Sequence, residues 1–325
     1  MVFDSIVGQP TAVATLKQAL ARGRLHHAYR FEGPEGVGKE RLAFALAQSL
    51  VCTAGAELGC GACSACRRAL TFSEGEPRVP QHPDVVLIER GLYPAATLGR
   101  TSPETTGIGV EQIRRIVLAR ADYPPHEARH LVFIVRAAHE LTVSAGNALL
   151  KTIEEPRPNV HFVLITSQPR RLSDTIRSRT LAVRFGPLPE SAIASILRAQ
   201  GKVESVAALA EGSASRALEL ADPEQLAERQ AFVDGVMKSL TAPDLGAALE
   251  LAAGHSSERA TLGRELSGLA QHFALLGREH AGKDDVAAKR FARHYAEAEV
   301  ARADLEKNLA PTLALETLLA RLRRN

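Results

Sequence analysis

The sequence predicts an α/β domain with a mostly parallel sheet, then a small helical segment, then an all-helical C-terminal part. Three observations carry this prediction. Short apolar runs alternate with amphipathic segments through the first half, the signature of strands and helices taken in turn. A glycine-rich loop, Gly33-Pro34-Glu35-Gly36-Val37-Gly38-Lys39, follows the first run and opens a helix. The strand signal then stops at Gly186-Pro187-Leu188-Pro189, a cluster that punctuates the chain.

In chain order, strands are expected at 28–32, 84–89, 131–135, 161–165 and 181–185. Val85-Val86-Leu87-Ile88, Leu131-Val132-Phe133-Ile134-Val135 and Phe162-Val163-Leu164-Ile165 are rich in β-branched residues and suit strands covered on both faces. Amphipathic segments at 13–21, 40–50, 110–120 and 144–153 read as the helices between them. Residues 91–107 hold two prolines and three glycines among many Ser and Thr residues, and read as a surface loop. The layout expected is an α/β phosphate-loop domain over 1–186 with a cysteine module inserted at 52–66, a helical lid over 187–222, and a helical domain over 223–325. No fixed-period repeat is found.

Composition narrows the classes of function. Forty basic against thirty-seven acidic residues leave a net charge of +3, too balanced for an autonomous polyanion binder, though a local basic face could still meet DNA. No apolar run approaches the roughly 20 residues of a membrane span, and Met1-Val2-Phe3-Asp4-Ser5-Ile6 lacks the pattern of a signal peptide. The expected address is the cytoplasm, with no membrane partner.

Gly33 to Glu40 nearly fits the phosphate loop G-x-x-x-x-G-K-[ST]. Gly33, Gly36 and Gly38 let backbone amides curl around phosphates, the helix N-terminus favours anions, and Lys39 reaches the outer phosphates. The last position should be a hydroxyl that ligates Mg²⁺, and here it is Glu40. Hydrolysis further needs acids after a later strand, one to hold Mg²⁺ and one to polarise the attacking water. Arg136 and Ala137 stand there instead. Asp122 and Glu140, nearby in sequence, read as solvated surface charges. Binding of ATP or ADP is therefore doubtful, and hydrolysis lacks its parts.

Cys52, Cys60, Cys63 and Cys66 form C-x7-C-x2-C-x2-C. Clustered thiols with paired x2 spacing point to a closed tetrahedral Zn²⁺ site, structural because no position is left open for water. Free buried thiols and an iron–sulfur cluster are the alternatives. Arg67 and Arg68 follow directly, either to screen the site's negative charge or as plain exposed arginines.

Four stretches carry a family resemblance. Asn147-Ala148-Leu149-Leu150-Lys151-Thr152-Ile153-Glu154-Glu155-Pro156, Arg177-Ser178-Arg179-Thr180 and His27-Ala28-Tyr29-Arg30-Phe31 resemble signatures of AAA+ subunits of bacterial DNA clamp loaders, as does Ile6-Val7-Gly8-Gln9. The resemblance covers residues 3–220 and returns at 308–322. It implies that Arg179, in a Ser-Arg-Cys motif whose cysteine is replaced by Thr180, reaches into a neighbour's ATP site as an arginine finger; a solvated surface arginine is the reading without the motif. It further implies a sensor 1 at Thr166, a sensor 2 at Arg216 within Gly212-Ser213-Ala214-Ser215-Arg216, and a C-terminal collar that packs subunits into a ring. Leu309, Leu313, Leu315, Leu318, Leu319 and Leu322 give that last segment an apolar face, equally suited to a self-contained core, and Arg321, Arg323 and Arg324 suit a helix C-terminus.

Within the family, the eroded Glu40, Arg136 and Ala137 resemble the non-hydrolysing delta-prime branch. The expected partners are then gamma/tau and delta subunits, with the sliding clamp and primer–template DNA in the assembled complex of DNA polymerase III. Intact Lys39 keeps a hydrolysing gamma/tau-type subunit as the alternative. A zinc-dependent nucleic-acid-binding protein is the rival from another class, and near-neutral charge with no Trp weighs against it.

Overall fold

The structure, a computed structural model, describes residues 1–101, 107–243, 246–254, 259–306 and 309–324. Part of the loop expected at 91–107, Asn308 and the side chain of Arg324 lie outside the described residues. The chain divides into two compact units, Met1–Ala217 and Leu218–Asn325.

The first unit is built on a five-stranded parallel sheet of β1 (Ala28–Glu32), β2 (Val85–Ile88), β3 (Leu131–Val135), β4 (Val160–Thr166) and β5 (Leu181–Arg184), in the order β2-β3-β4-β1-β5. Every residue of β3 and β4 is buried, as expected of strands covered on both faces. Edge strand β5 buries only Val183 fully. In register, Val135 faces Ile88 across β3 and β2, so the residues that follow both strands emerge side by side.

Helices α1 (Pro10–Ala21), α2 (Lys39–Val51) and α3 (Ser64–Leu70) precede β2. A helical run follows it as α4 (Val110–Gln112), a π-helical stretch Ile113–Leu118, and α5 (Ala119–Ala121), where a plain α-helix was expected. Helix α6 (Val143–Glu154) starts at Thr142, whose side chain accepts from the Ala145 amide at 3.2 Å. Its apolar stripe of Ala145, Leu149 and Ile153 packs with Ile113 and Val117 onto Phe133, Phe162 and Leu164 of the sheet. Helices α7 (Asp174–Ser178), α8 (Glu190–Ala199) and α9 (Ala214–Leu220) follow. The described part of the loop at 91–101 is anchored rather than free, because Leu98 is buried and the Tyr93 hydroxyl donates to Leu87 O at 2.9 Å.

The second unit contains α10 (Pro223–Thr241), α11 (Gly246–Gly254), α12 (Arg259–His280), α13 (Asp285–Glu306) and α14 (Pro311–Arg324) around a core of its own. Of the expected face on α14, Leu315, Leu318, Leu319 and Leu322 are buried and Leu309 is partly so, but Leu313 is 49% exposed. Two residues before Leu315 lies roughly on the opposite side of a 3.6-residue helix, which takes Leu313 off the stripe. Arg323 does not serve its own helix end. It donates to Ser239 O at 2.9 Å and Ala242 O at 2.8 Å, the open carbonyls where α10 ends.

Candidate functional site

The loop Gly33–Lys39 lies between β1 and α2, at the carboxyl edge of the sheet where open α/β folds place their ligands. Glycine is required by contact at two positions. A Cβ on Gly33 would come within 2.3 Å of Phe185 O, and one on Gly36, at φ +71°, within 2.1 Å of Ser213 Oγ. Lys39 is turned inward: its Nζ donates to Gly33 O at 2.7 Å and, closely, to Pro34 O. Burial pulls its pKa down to about 8, with Glu35 opposing. The lysine thus satisfies carbonyls of its own loop.

At the position where the phosphate-loop pattern has a metal-ligating hydroxyl, the structure holds an ion-pair cluster. Glu40, in the first turn of α2, forms a close ion pair with Arg136 Nη2. Arg136 Nη1 donates to Glu89 Oε2 at 2.7 Å, and its backbone N–H donates to Ile88 O at 2.9 Å, continuing the ladder of β2 and β3. Burial disfavours the Arg136 charge, but Glu89 and Glu40 outweigh it and raise its pKa. Glu89 was not singled out from sequence, although it directly follows β2 as Arg136 follows β3. Ala137 adopts a left-handed φ of 43° and carries no polar group. The residues present do not fit Mg²⁺, whose hard oxygen ligands would have to be Glu40 and Glu89, both already engaged by a guanidinium. Glu140, expected to be solvated, is half-buried and pairs with Arg90 at 3.4 Å because the turn after Ala137 brings it back toward the exit of β2.

The two expected sensors lie beside the loop. Thr166, buried at the end of β4, has its Oγ1 3.2 Å from His139 Nδ1 and accepts from the Gln168 amide at 3.0 Å. Its carbonyl accepts from Gly33 N at 3.3 Å. Ala214 N donates to Gly36 O at 2.8 Å, so the start of α9 rests on the loop. Arg216 donates to Glu211 at 2.6 Å. Gln9, quoted only as part of a motif, proves to be a strut. Its amide donates to Val37 O at 3.2 Å and Gly186 O at 2.7 Å, while its oxygen accepts from Gly186 N at 3.3 Å.

Arg179 lies elsewhere, just after α7, against an open cavity of about 550 Å³ lined by His26, His27, Glu154, Ser178, Arg179 and Thr180. Its side chain is 38% exposed and paired closely with Glu154. Thr180, the residue in place of the motif cysteine, is buried; its hydroxyl donates to Ile176 O at 2.8 Å and accepts from Arg30 at 2.7 Å. Arg30 also donates to Arg177 O at 2.8 Å, tying the segment to β1 of the sheet. Buried His161 lies below, 3.1 Å from the His130 ring, and burial with the His130 charge holds its pKa at about 4.

The four cysteines converge. Their Sγ atoms lie within 4.8 Å of one another, a group that could hold a metal ion. Cys52 ends α2 and Cys63 caps α3, accepting from Cys66 N at 3.4 Å; Cys60 accepts from Cys63 N at 3.2 Å. Burial raises the Cys63 thiol, but the Cys66 amide and Thr53 overcome it and hold it at about 5, while burial pushes Cys66 up. Of the two arginines read either as screening this site or as plain exposed residues, Arg68 pairs with Glu127 and Arg67 is exposed.

A parallel sheet in the order 2-3-4-1-5, with a glycine-rich loop between β1 and α2, defines a phosphate-loop fold of the AAA+ kind. The chain belongs to the family described as DNA polymerase III, delta subunit, whose pattern matches residues 8–189. It is 38% identical over 196 residues to DNA polymerase III subunit gamma/tau of Mycobacterium tuberculosis, a match covering 60% of this chain and 30% of that protein. It is 33% identical over 230 residues to DNA polymerase III subunit delta' of Bacillus subtilis, covering 69% of this chain and 63% of that one. Among solved structures, a DNA polymerase III gamma subunit-related protein of Thermotoga maritima superposes with a TM-score of 0.51. That likeness covers 95% of this chain and 98% of the other at 18% identity, and is one of fold.

Proposed function

We propose that the chain is a non-hydrolysing, delta-prime-type subunit of a DNA clamp loader, with a phosphate-loop domain over 1–186, a lid over 187–222 and a collar over 223–325. The observation that carries this reading is the Glu40–Arg136–Glu89 cluster, which puts a fixed arginine where a hydrolysing site needs metal and acids. Its role is then structural and in trans. Arg179, exposed beside the cavity, is offered to the ATP site of a neighbouring gamma/tau subunit, where a planar guanidinium neutralises charge on the transferring phosphoryl group. Cys52, Cys60, Cys63 and Cys66 would hold Zn²⁺, cross-linking the end of α2 to the start of α3. Delta subunits, the sliding clamp and primer–template DNA are the other partners, and the cytoplasm the place of work; no helix among the described residues is long and apolar enough to cross a membrane.

The second reading, a hydrolysing gamma/tau-type subunit, is favoured by the retained Lys39 and by relatives of that name. ATP turnover by the purified chain separates the two. We expect none above background with Mg²⁺, with or without primed DNA. Turnover of about 1 s⁻¹ or faster, in the range of ordinary enzymes, would overturn the proposal.

A further inference from the structure

We propose that the Arg136 guanidinium is a built-in cation that stands in the place of the divalent metal and cross-links the mouth of this phosphate loop, closing it to divalent ions. The inference rests on reading the loop as a degenerate phosphate loop, and it does not need the clamp-loader assignment.

The substitutions at the site are reciprocal. Where a metal-binding loop has a neutral hydroxyl, this chain has the acid Glu40; where it has an acid after β3, this chain has the base Arg136. Glu40 without Arg136 would lose the guanidinium it pairs with at the mouth of the loop. Together they make an ion pair, and Glu89 at the end of β2 supplies a second carboxylate to the other arm of the fork. The guanidinium therefore joins the first turn of α2 to the exits of β2 and β3. Guanidinium suits this post because it stays charged at any working pH and its planar fork grips two carboxylates at once. An entering Mg²⁺ would find both carboxylates engaged and a fixed positive charge beside them. Lys39, bonded to Gly33 O, adds a second positive charge on the loop side.

The test is a Mn²⁺ titration of the isolated chain, with its cysteine site zinc-loaded, followed by electron paramagnetic resonance. Wild type is expected to show no Mn²⁺ site that Glu40→Gln abolishes. Arg136→Ala bares the two carboxylates and is expected to gain one Mn²⁺ equivalent with a dissociation constant on the order of 10⁻³ M or tighter, comparable to weak extracellular carboxylate sites. That gain should vanish when Glu40→Gln or Glu89→Gln is added. A wild-type Mn²⁺ site lost in Glu40→Gln overturns the proposal without any change at Arg136, so the inference stays testable if Arg136→Ala does not fold. A folded Arg136→Ala chain that gains no Mn²⁺ also overturns it. A wild-type Mn²⁺ site that Glu40→Gln removes, in a chain with no ATP turnover, would sink this inference and leave the non-hydrolysing reading standing.

Discussion

Arg179, the proposed finger, is paired with Glu154. The carboxylate keeps the guanidinium at the rim of the cavity, while Arg30 and the buried Thr180 fix the backbone beneath it. Arg179→Ala is expected to leave folding and assembly with gamma/tau partners intact and to lower the ATPase of the complex. Fingers contribute about 10³–10⁵ in rate at a single site, and the loss across a ring should be smaller because other sites keep theirs. Arg179→Lys should rescue poorly for want of a planar fork. Arg177→Ala, whose side chain pairs with Asp174, is the control; equal losses from both would make the segment a docking surface and end the finger assignment. A second residue-scale consequence concerns His161, neutral in the fold down to about 4 against 6.5 for a free imidazole. Between these values the unfolded chain takes up a proton that the folded chain refuses, so stability falls as pH drops from 6.5 toward 4 and this loss is complete below 4. The full shift corresponds to about 3 kcal/mol as an upper figure. Urea midpoints across that window should fall more steeply for wild type than for His161→Gln; parallel curves would remove His161 from the account.

At the scale of elements, β3 shows what a sequence discloses. Leu131-Val132-Phe133-Ile134-Val135 is apolar and β-branched without alternation, and all five residues are buried in a strand paired on both sides. Periodicity likewise located α6, and spacing alone brought the four cysteines to one place. The phosphate loop was legible because glycine has few reasons to recur between a strand and a helix except close approach of backbone, realised here against Phe185 and Ser213. Sequence could also show that Glu40 and Arg136 depart from the phosphate-loop pattern. It could not show that they pair with each other, because 96 residues separate them and only the register of β2 and β3 brings Glu89 into the same cluster. Glu154 and Gln9 were hidden for the same reason: their partners, Arg179 and Gly186, lie across the fold. The π-helical turn Ile113–Leu118 has no hydrophobic period that sets it apart from an α-helix over so short a run.

The whole molecule consists of two units with separate apolar cores, one around the sheet and one among α10 to α14. Such a chain is not expected to melt as one cooperative block. Calorimetry of the zinc-loaded protein should resolve two transitions, and stripping the metal should lower only that of the first unit, which contains all four cysteines, because metal binding to a folded site is itself folding free energy. A single transition insensitive to a strong chelator would contradict both the two-unit behaviour and the metal site. The loop at Gly36 carries a broader consequence. In a nucleotide-driven machine this is the part that senses fuel and passes the news to the helices behind it. Here Ala214 is bonded to Gly36, Leu188 to Gly212, and Gln9 spans Val37 and Gly186, so that junction is already tied by the chain's own amides. Under the proposed non-hydrolysing reading such a subunit needs no fuel gauge: through each cycle of its neighbours it would serve as the stationary frame against which their strokes are made.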